Sequence, residues 1–260
     1  MERTKQGEFA WLDLSAGDLA AQTVFYEDLF GWTHEDIPTG EGRPDYRMFS
    51  KDGATVGGAM PISPDMAAAG VPTMWNTYIA VDDADAAAAR TVDLGGRIIM
   101  PAMDVMDMGR MVGIQDPTGG SVFLWHNSKP IETMQYFAPG TLSWNDLSTR
   151  DPAAAATFFS ELLGWQIKEL DNSPMPYWQI SIDGQGEGGI MPMPEMVPPD
   201  VPAYWLVYFG AQDARSQHAR AVFLGATSLV EPTEIADMLV WSVLADPAGA
   251  TFALMQALTA

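Results

Sequence analysis

A long segment of this sequence occurs twice. Phe9–Trp32, FAWLDLSAGDLAAQTVFYEDLFGW, returns as Leu142–Trp165, LSWNDLSTRDPAAAATFFSELLGW. Each copy begins with a short β-like run, Trp11–Leu14 or Trp144–Leu147, and reaches an acidic helix start at Asp18 or Asp151. An Ala-rich helix follows, closing on Phe25-Tyr26 or Phe158-Phe159 and then Leu-x-Gly-Trp. The match continues downstream at a separation of roughly 130 residues, well beyond a solenoid period. Tyr46–Gly53 is answered by Tyr177–Gly184, Gly57–Ile62 by Gly188–Met193, and Trp75–Val81 by Trp205–Ala211. The turn Asp116-Pro-Thr-Gly119 is answered by Asp246-Pro-Ala-Gly249. The chain therefore reads as two related domains in tandem, residues 1–130 and 138–260, joined through the polar, Pro-bearing run 128–139.

Within each half the order of elements also repeats. Phe9–Leu14 reads as a strand, and Asp18 caps a helix whose apolar residues recur at helical spacing until Gly31. Trp32–Ile37 is a third element, and Tyr46–Ser50 and Ala54–Met60 form a hairpin across Asp52-Gly53. Pro61–Pro72 is a linker rich in Pro, Met and Ala. Met74–Val81 is again a strand, Asp82-Asp83 open a helix to about Leu94, and Arg97–Met100, Arg110–Gln115 and Ser121–His126 are three more strands. Half a domain is one β-α-β-β-β unit, and a domain is two.

Composition narrows the partners. In 260 residues, 34 acidic against 13 basic side chains leave a formal charge of −21. That field repels phosphate backbones and anionic lipid, so neither nucleic acid nor membrane is an expected partner, whereas a cationic small molecule is attracted. With no cysteine there is no disulfide, thiolate metal site or cysteine nucleophile. MERTKQGEF lacks the apolar core of a signal peptide, and a cytoplasmic location is the expectation.

The series strand, Asp-capped helix, aromatic pair, Leu-x-Gly-Trp, then Val81-Asp82-Asp83 and Asp-Pro-x-Gly resembles the vicinal oxygen chelate superfamily. That superfamily includes glyoxalase I, bleomycin-resistance proteins and extradiol dioxygenases. Trp75–Asp83 and Gly109–Met111 are most similar to its tandem-domain actinobacterial members. The resemblance implies an α+β fold of two glyoxalase/bleomycin-resistance-like domains. Each would be a curved eight-stranded cup of two βαβββ units, with helices outside and ligand inside. Metal enzymes of the superfamily carry His or Glu at positions that here hold Trp11, Asn76 and Phe123, and in the second domain Trp144, Leu206 and Ala253. A divalent ion needs three or four convergent donors, so no metal and no cofactor are expected.

Strand alternation assigns the inner faces. Trp11, Asp13, Asn76, Tyr78, Phe123 and Trp125 share one in the first domain, with Tyr46 and Met48 from the hairpin. Trp144, Asp146 and Tyr208, with Tyr177, share one in the second. Arg110 is expected to enter the first cup as its one basic group, and the Met-Pro segments 60–66 and 191–198 to border the mouths. Aromatics among a few polar groups make a small-molecule pocket, or simply fill the cup as core. Asp13 is either a brace that accepts hydrogen bonds or, desolvated, an acid/base with Tyr78. The leading expectation is a metal-independent binder of a small, planar and preferably cationic metabolite or antibiotic, with its better site in the first domain. A cofactor-free isomerase, lyase or cyclase using Asp13 is the alternative, and a metal-dependent glyoxalase I or dioxygenase has only the resemblance behind it. A monomer is preferred to a homodimer, because two cups in one chain mimic a dimer of single-domain relatives.

Overall fold

The structure, a computed structural model, describes residues 4–129, 134–171, 173, 175–195, 197–235 and 237–258. The first half runs β1 (Phe9–Ala16), α1 (Leu19–Phe30), β2 (Thr33–Ile37), β3 (Tyr46–Lys51), β4 (Ala54–Pro61), α2 (Pro64–Ala68), β5 (Met74–Ala80), α3 (Ala84–Asp93), β6 (Arg97–Val105), β7 (Gly109–Gln115) and β8 (Ser121–Asn127). The second runs β9 (Leu142–Thr149), α4 (Pro152–Leu163), β10 (Gln166–Glu169), β11 (Trp178–Ile182), β12 (Gln185–Pro192), β13 (Tyr204–Gly210), α5 (Ala214–Phe223), β14 (Thr227–Ile235), β15 (Leu239–Ala245) and β16 (Thr251–Ala257). The expected boundary falls partly on residues 130–133, which lie outside the described residues.

The punctuation read from sequence does what its chemistry requires. Asp18 and Asp151 each accept a hydrogen bond from the backbone N–H three residues on, and Gly31 and Gly164 end their helices at φ 71° and 77°. Two elements go beyond expectation. The linker Pro61–Pro72 contains the short helix α2, which Ser63 caps and Pro64 opens. Strand β6 runs on to Val105 through Pro101, which an edge strand tolerates because it has no ladder bond to lose on its outer side.

Each half closes one eight-stranded sheet, in the order β2-β3-β4-β1-β5-β8-β7-β6 or β10-β11-β12-β9-β13-β16-β15-β14. Each βαβββ unit supplies four adjacent strands, and both units of a sheet come from the same half of the chain. The cups are thus formed within domains, without exchange of units.

The backs of the two sheets pack on one another, and one continuous core spans both halves. Phe9 meets Trp205 at 5.8 Å, Trp75 meets Phe209 at 5.3 Å, and Thr77 donates to Asn145 Oδ1 at 3.1 Å. The helices lie outside the cups as expected, but α1 and α4 are caught in the seam and serve the opposite domain. From α1, Phe25 and Tyr26 press on Phe252 and Phe30 on Phe209. In return, α4 brings Phe158 against Gly96, where any Cβ would stand 3.0 Å from the ring. Trp32 Nε1 donates to Gly140 O and Trp165 Nε1 to Gly7 O, each at 2.8 Å, so the repeated Gly-Trp ties each half to the other.

The two sides of this seam are not equally satisfied. In one, Trp75 Nε1 donates to the Tyr26 hydroxyl (2.8 Å), which donates to Asp246 Oδ2 (3.0 Å), and Gln22 Nε2 donates to the same oxygen (2.6 Å). In the other, the counterparts of Tyr26 and Gln22 are Phe159 and Ala155, and Trp205 Nε1 and Asp116 Oδ2 are buried without partners among the described residues. Two lost polar groups account for two orphaned atoms. Tyr26→Phe should therefore cost about 1–3 kcal/mol, the penalty of stranding buried polar groups, and Phe159→Tyr should stabilise by about 1 kcal/mol. Urea unfolding of both variants checks this, and equal effects of either sign would contradict it.

Candidate functional site: two outward-facing cups

With the sheet backs buried together, the inner faces look outward. In the first cup, register sets Trp11 beside Tyr78 and Tyr78 beside Phe123, while Asp13 lies between Gly58 and Asn76. Asp13 is the buried carboxylate of that floor, 6% exposed. Its Oδ1 accepts from Asn76 Nδ2 at 2.9 Å, and its Oδ2 from the Tyr78 hydroxyl at 2.8 Å and, at 3.4 Å, from the Tyr46 hydroxyl. Trp11 Nε1 in turn donates to the Tyr46 oxygen at 2.9 Å, and Asn76 Nδ2 also reaches Ser15 Oγ. Burial pushes the Asp13 carboxyl above the usual carboxylate range, and these donors offset only part of that shift. Burial and the nearby Asp13 charge hold the Tyr46 and Tyr78 hydroxyls well above their ordinary value, so both remain donors.

Apolar groups surround this acid. Phe123 stacks on Tyr78 with centroids 4.9 Å apart at 19°, and Met48 and Met111 lie half-buried against the core. Trp125, farther along β8, anchors its indole N–H on Asn127 Oδ1 at 2.7 Å. The second cup repeats the acid. Asp146 Oδ1 accepts from Tyr177 (2.7 Å) and Trp144 Nε1 (3.0 Å), the Tyr208 hydroxyl also bonds to the carboxylate, and burial again raises its pKa. Asn76 has become Leu206, so this carboxylate lacks an amide donor.

Of the residues proposed from sequence, Trp11, Asp13, Tyr46, Met48, Asn76, Tyr78, Phe123 and Trp125 share the first inner face, and Trp144, Asp146, Tyr177 and Tyr208 the second. Arg110 does not belong to the cup. Its guanidinium grips Asp85 of α3 at 2.8 and 3.0 Å and Asp104 at 2.8 Å, on the helix side of the sheet. Alternation carries the reason, because Arg110 has the parity of the fully buried Val112 and Ile114, whereas Met111 and Gly113 face the cup.

Residues missed from sequence include Gly58 and Gly189, where any Cβ would overlap the hydroxyls of Tyr46 and Tyr177. The repeated Gly-Gly pairs were their signal. The Met-rich segment 60–66 leads into exposed α2, and Met196 of the other lies outside the described residues. A surface cavity of about 350 Å³, lined by Gly95, Arg97, Gln115 and residues 116–119, lies at the Asp-Pro-Thr-Gly turn, away from both acids. The convergent polar and aromatic chemistry is in the cups instead.

Outward cups of paired βαβββ units, carried on back-to-back sheets, define the class of tandem glyoxalase-fold proteins. Residues 8–123 match the family described as Glyoxalase/Bleomycin resistance protein/Dioxygenase superfamily, and residues 145–255 match the Glyoxalase-like domain. The chain is 37% identical over 252 residues to the putative glyoxylase CFP32 of Mycobacterium tuberculosis, covering 97% of this chain and 95% of that protein. It is 32% identical over 276 residues to the anthracycline biosynthesis protein DnrV of Streptomyces peucetius, covering 98% and 95%. The fold is shared with a Mn(II)-bound glyoxalase from Novosphingobium aromaticivorans, with TM-score 0.66, 15% identity, and coverage of 100% and 84%. It is also shared with the 2,3-dioxygenase LapB from Pseudomonas sp. KL28, with TM-score 0.65, 14% identity, and coverage of 99% and 94%. The chain belongs to the glyoxalase/bleomycin resistance/dioxygenase superfamily.

The metal chemistry of such relatives can be tested against the donors present. Each floor offers one carboxylate, already engaged by tyrosine, tryptophan or amide hydrogens, and tyrosines held in the protonated state. Among the described residues no three His, Asp or Glu side chains converge. This donor set does not fit a divalent ion.

Asp13, Asp116 and Asp146 all have folded pKa values raised by burial. Groups of that kind contribute stability fully present below the unfolded carboxylate value of about 3.9 and lost as pH rises through the folded value. In Asp13→Asn/Asp146→Asn two of the three losses disappear. The stability of the wild type relative to this variant, measured by urea unfolding, should fall as pH rises above about 4; a constant offset would contradict the assignment.

Proposed function

We propose that the chain is a metal-independent binding protein for a small planar organic molecule, with Asp13 as the polar anchor of the first cup. The observation that carries this reading is the Asp13 carboxyl, buried and aimed by Tyr78, Asn76 and Tyr46 among aromatic and thioether surfaces. A carboxyl held at such a floor meets a ligand's hydroxyl or cationic nitrogen in a low-dielectric setting, where the bond discriminates strongly. Soft Met48 and Met111 adapt to a flat face. The similarity to DnrV supports a polycyclic aromatic metabolite as the ligand class.

A second reading rests on the same carboxyl. Its raised pKa and its 2.8 Å bond to Tyr78 suit proton transfer in an isomerase, lyase or cyclase that needs no metal. Asp13→Asn separates the two. As an anchor, its loss weakens calorimetric binding of planar natural products by about tenfold, corresponding to about 1.4 kcal/mol. As an acid/base, its loss leaves binding in place and abolishes chemical conversion of the bound molecule, read by mass spectrometry. Binding and conversion both unchanged would refute the role of Asp13.

A further inference from the structure

The cups are copies, so their differences can be compared position by position. In the first, Phe123 stacks on Tyr78 at 4.9 Å, and Gly113 leaves room for it: a Cβ there would stand 3.1 Å from the Phe123 ring and 2.9 Å from Met100 Cβ. In the second, the equivalents of Phe123 and Gly113 are Ala253 and Val243, paired directly across β16 and β15. The exchange removes the ring. Tyr208, the counterpart of Tyr78, has no stacked partner from its own sheet.

A ring reappears one step along β15, where Met111 of the first cup is answered by Trp241. Trp241 faces Tyr208 with centroids 6.5 Å apart at 33°, at the loose end of the range for aromatic pairs. Its indole Nε1–H is buried without an acceptor among the described residues. Leu206, Tyr208, Val243 and Ala253 form a small apolar cluster separate from the main core, with Trp241 and Met255 as partly exposed side chains packed against it.

We propose that the second cup binds a flat aromatic ring over Tyr208 and Ala253, against Trp241, with a ligand carbonyl or ether oxygen accepting from Trp241 Nε1. The ring covers the floor that Phe123 covers in the first cup, and it enters as the partly exposed Met255 moves aside. The inference rests on reading the cups as ligand sites and adds that the first cup carries its own ring while the second takes one from solution. A buried N–H without an acceptor is costly in the free protein, and a ligand oxygen relieves that cost on binding.

The test is a fluorescence titration with 1,8-dihydroxyanthraquinone, a flat probe with carbonyl acceptors. The wild type should bind one probe in the second cup, counted separately from a probe anchored at Asp13 in the first. Trp241→Phe, which keeps a ring and removes the N–H, should weaken binding about fivefold, the worth of one hydrogen bond. Val243→Gly/Ala253→Phe copies the Gly113–Phe123 pair and should remove the second-cup probe. If that double variant misfolds, Trp241→Met, which copies Met111, should weaken binding at least tenfold instead. Asp13→Asn should leave this site untouched. An unchanged number of bound probes in both Val243→Gly/Ala253→Phe and Trp241→Met, or no binding to the wild type at micromolar concentration, overturns the proposal. Loss of probe binding in Asp13→Asn alone would overturn it while leaving the first-cup reading standing.

Discussion

Everything in this molecule depends on the burial of the two sheet backs against each other. A sheet with one apolar face must cover it. Here each sheet covers the other, with α1 and α4 exchanged across the seam and one core running through both halves. The exchange makes the domains inseparable energetically while leaving their inner faces free. The repeated Gly-Trp and the Asp246-Pro-Ala-Gly249 turn, which mark the repeat in sequence, bind across the seam. A duplicated domain became one folding unit, and its cups were turned outward.

The cups then diverged within fixed constraints. Each kept an aspartate at its floor, a position that costs free energy unless the carboxylate is hydrogen-bonded. Each also kept the tyrosines that satisfy it, and a glycine beneath Tyr46 or Tyr177. The walls changed. Phe123 with Gly113 became Ala253 with Val243, Met111 became Trp241, and Asn76 became Leu206. The first cup is an acid ringed by polar donors beside a closed aromatic stack, and the second an acid beside an apolar floor with an unpaired indole N–H. Relaxed symmetry also shows in the seam, where Tyr26 and Gln22 are matched by Phe159 and Ala155.

Much of this was legible in the residues. The repeat gave the domains and the order of strands, because Asp caps, Gly stops and Asp-Gly turns act locally. Alternation placed Asp13, Tyr78, Asn76 and Phe123 on one face, since strand parity is independent of tertiary context. Arg110 was misplaced because its charge was read before its parity. The seam was not legible. Nothing in the spacing of α1 says that Tyr26 reaches Asp246, a contact 220 residues away along the chain. Nor does composition show that Gly58 exists to admit a hydroxyl, because close approach is a property of the packed state.

We propose that the acid of the first cup organises an organic ligand site rather than a metal centre. Native mass spectra of protein purified without chelator, then incubated with Mn²⁺, Ni²⁺ or Zn²⁺ in turn, separate the two. No spectrum should carry stoichiometric metal, and an organic adduct should be present that Asp13→Asn diminishes. One divalent ion per chain, lost in Asp13→Asn, would contradict it.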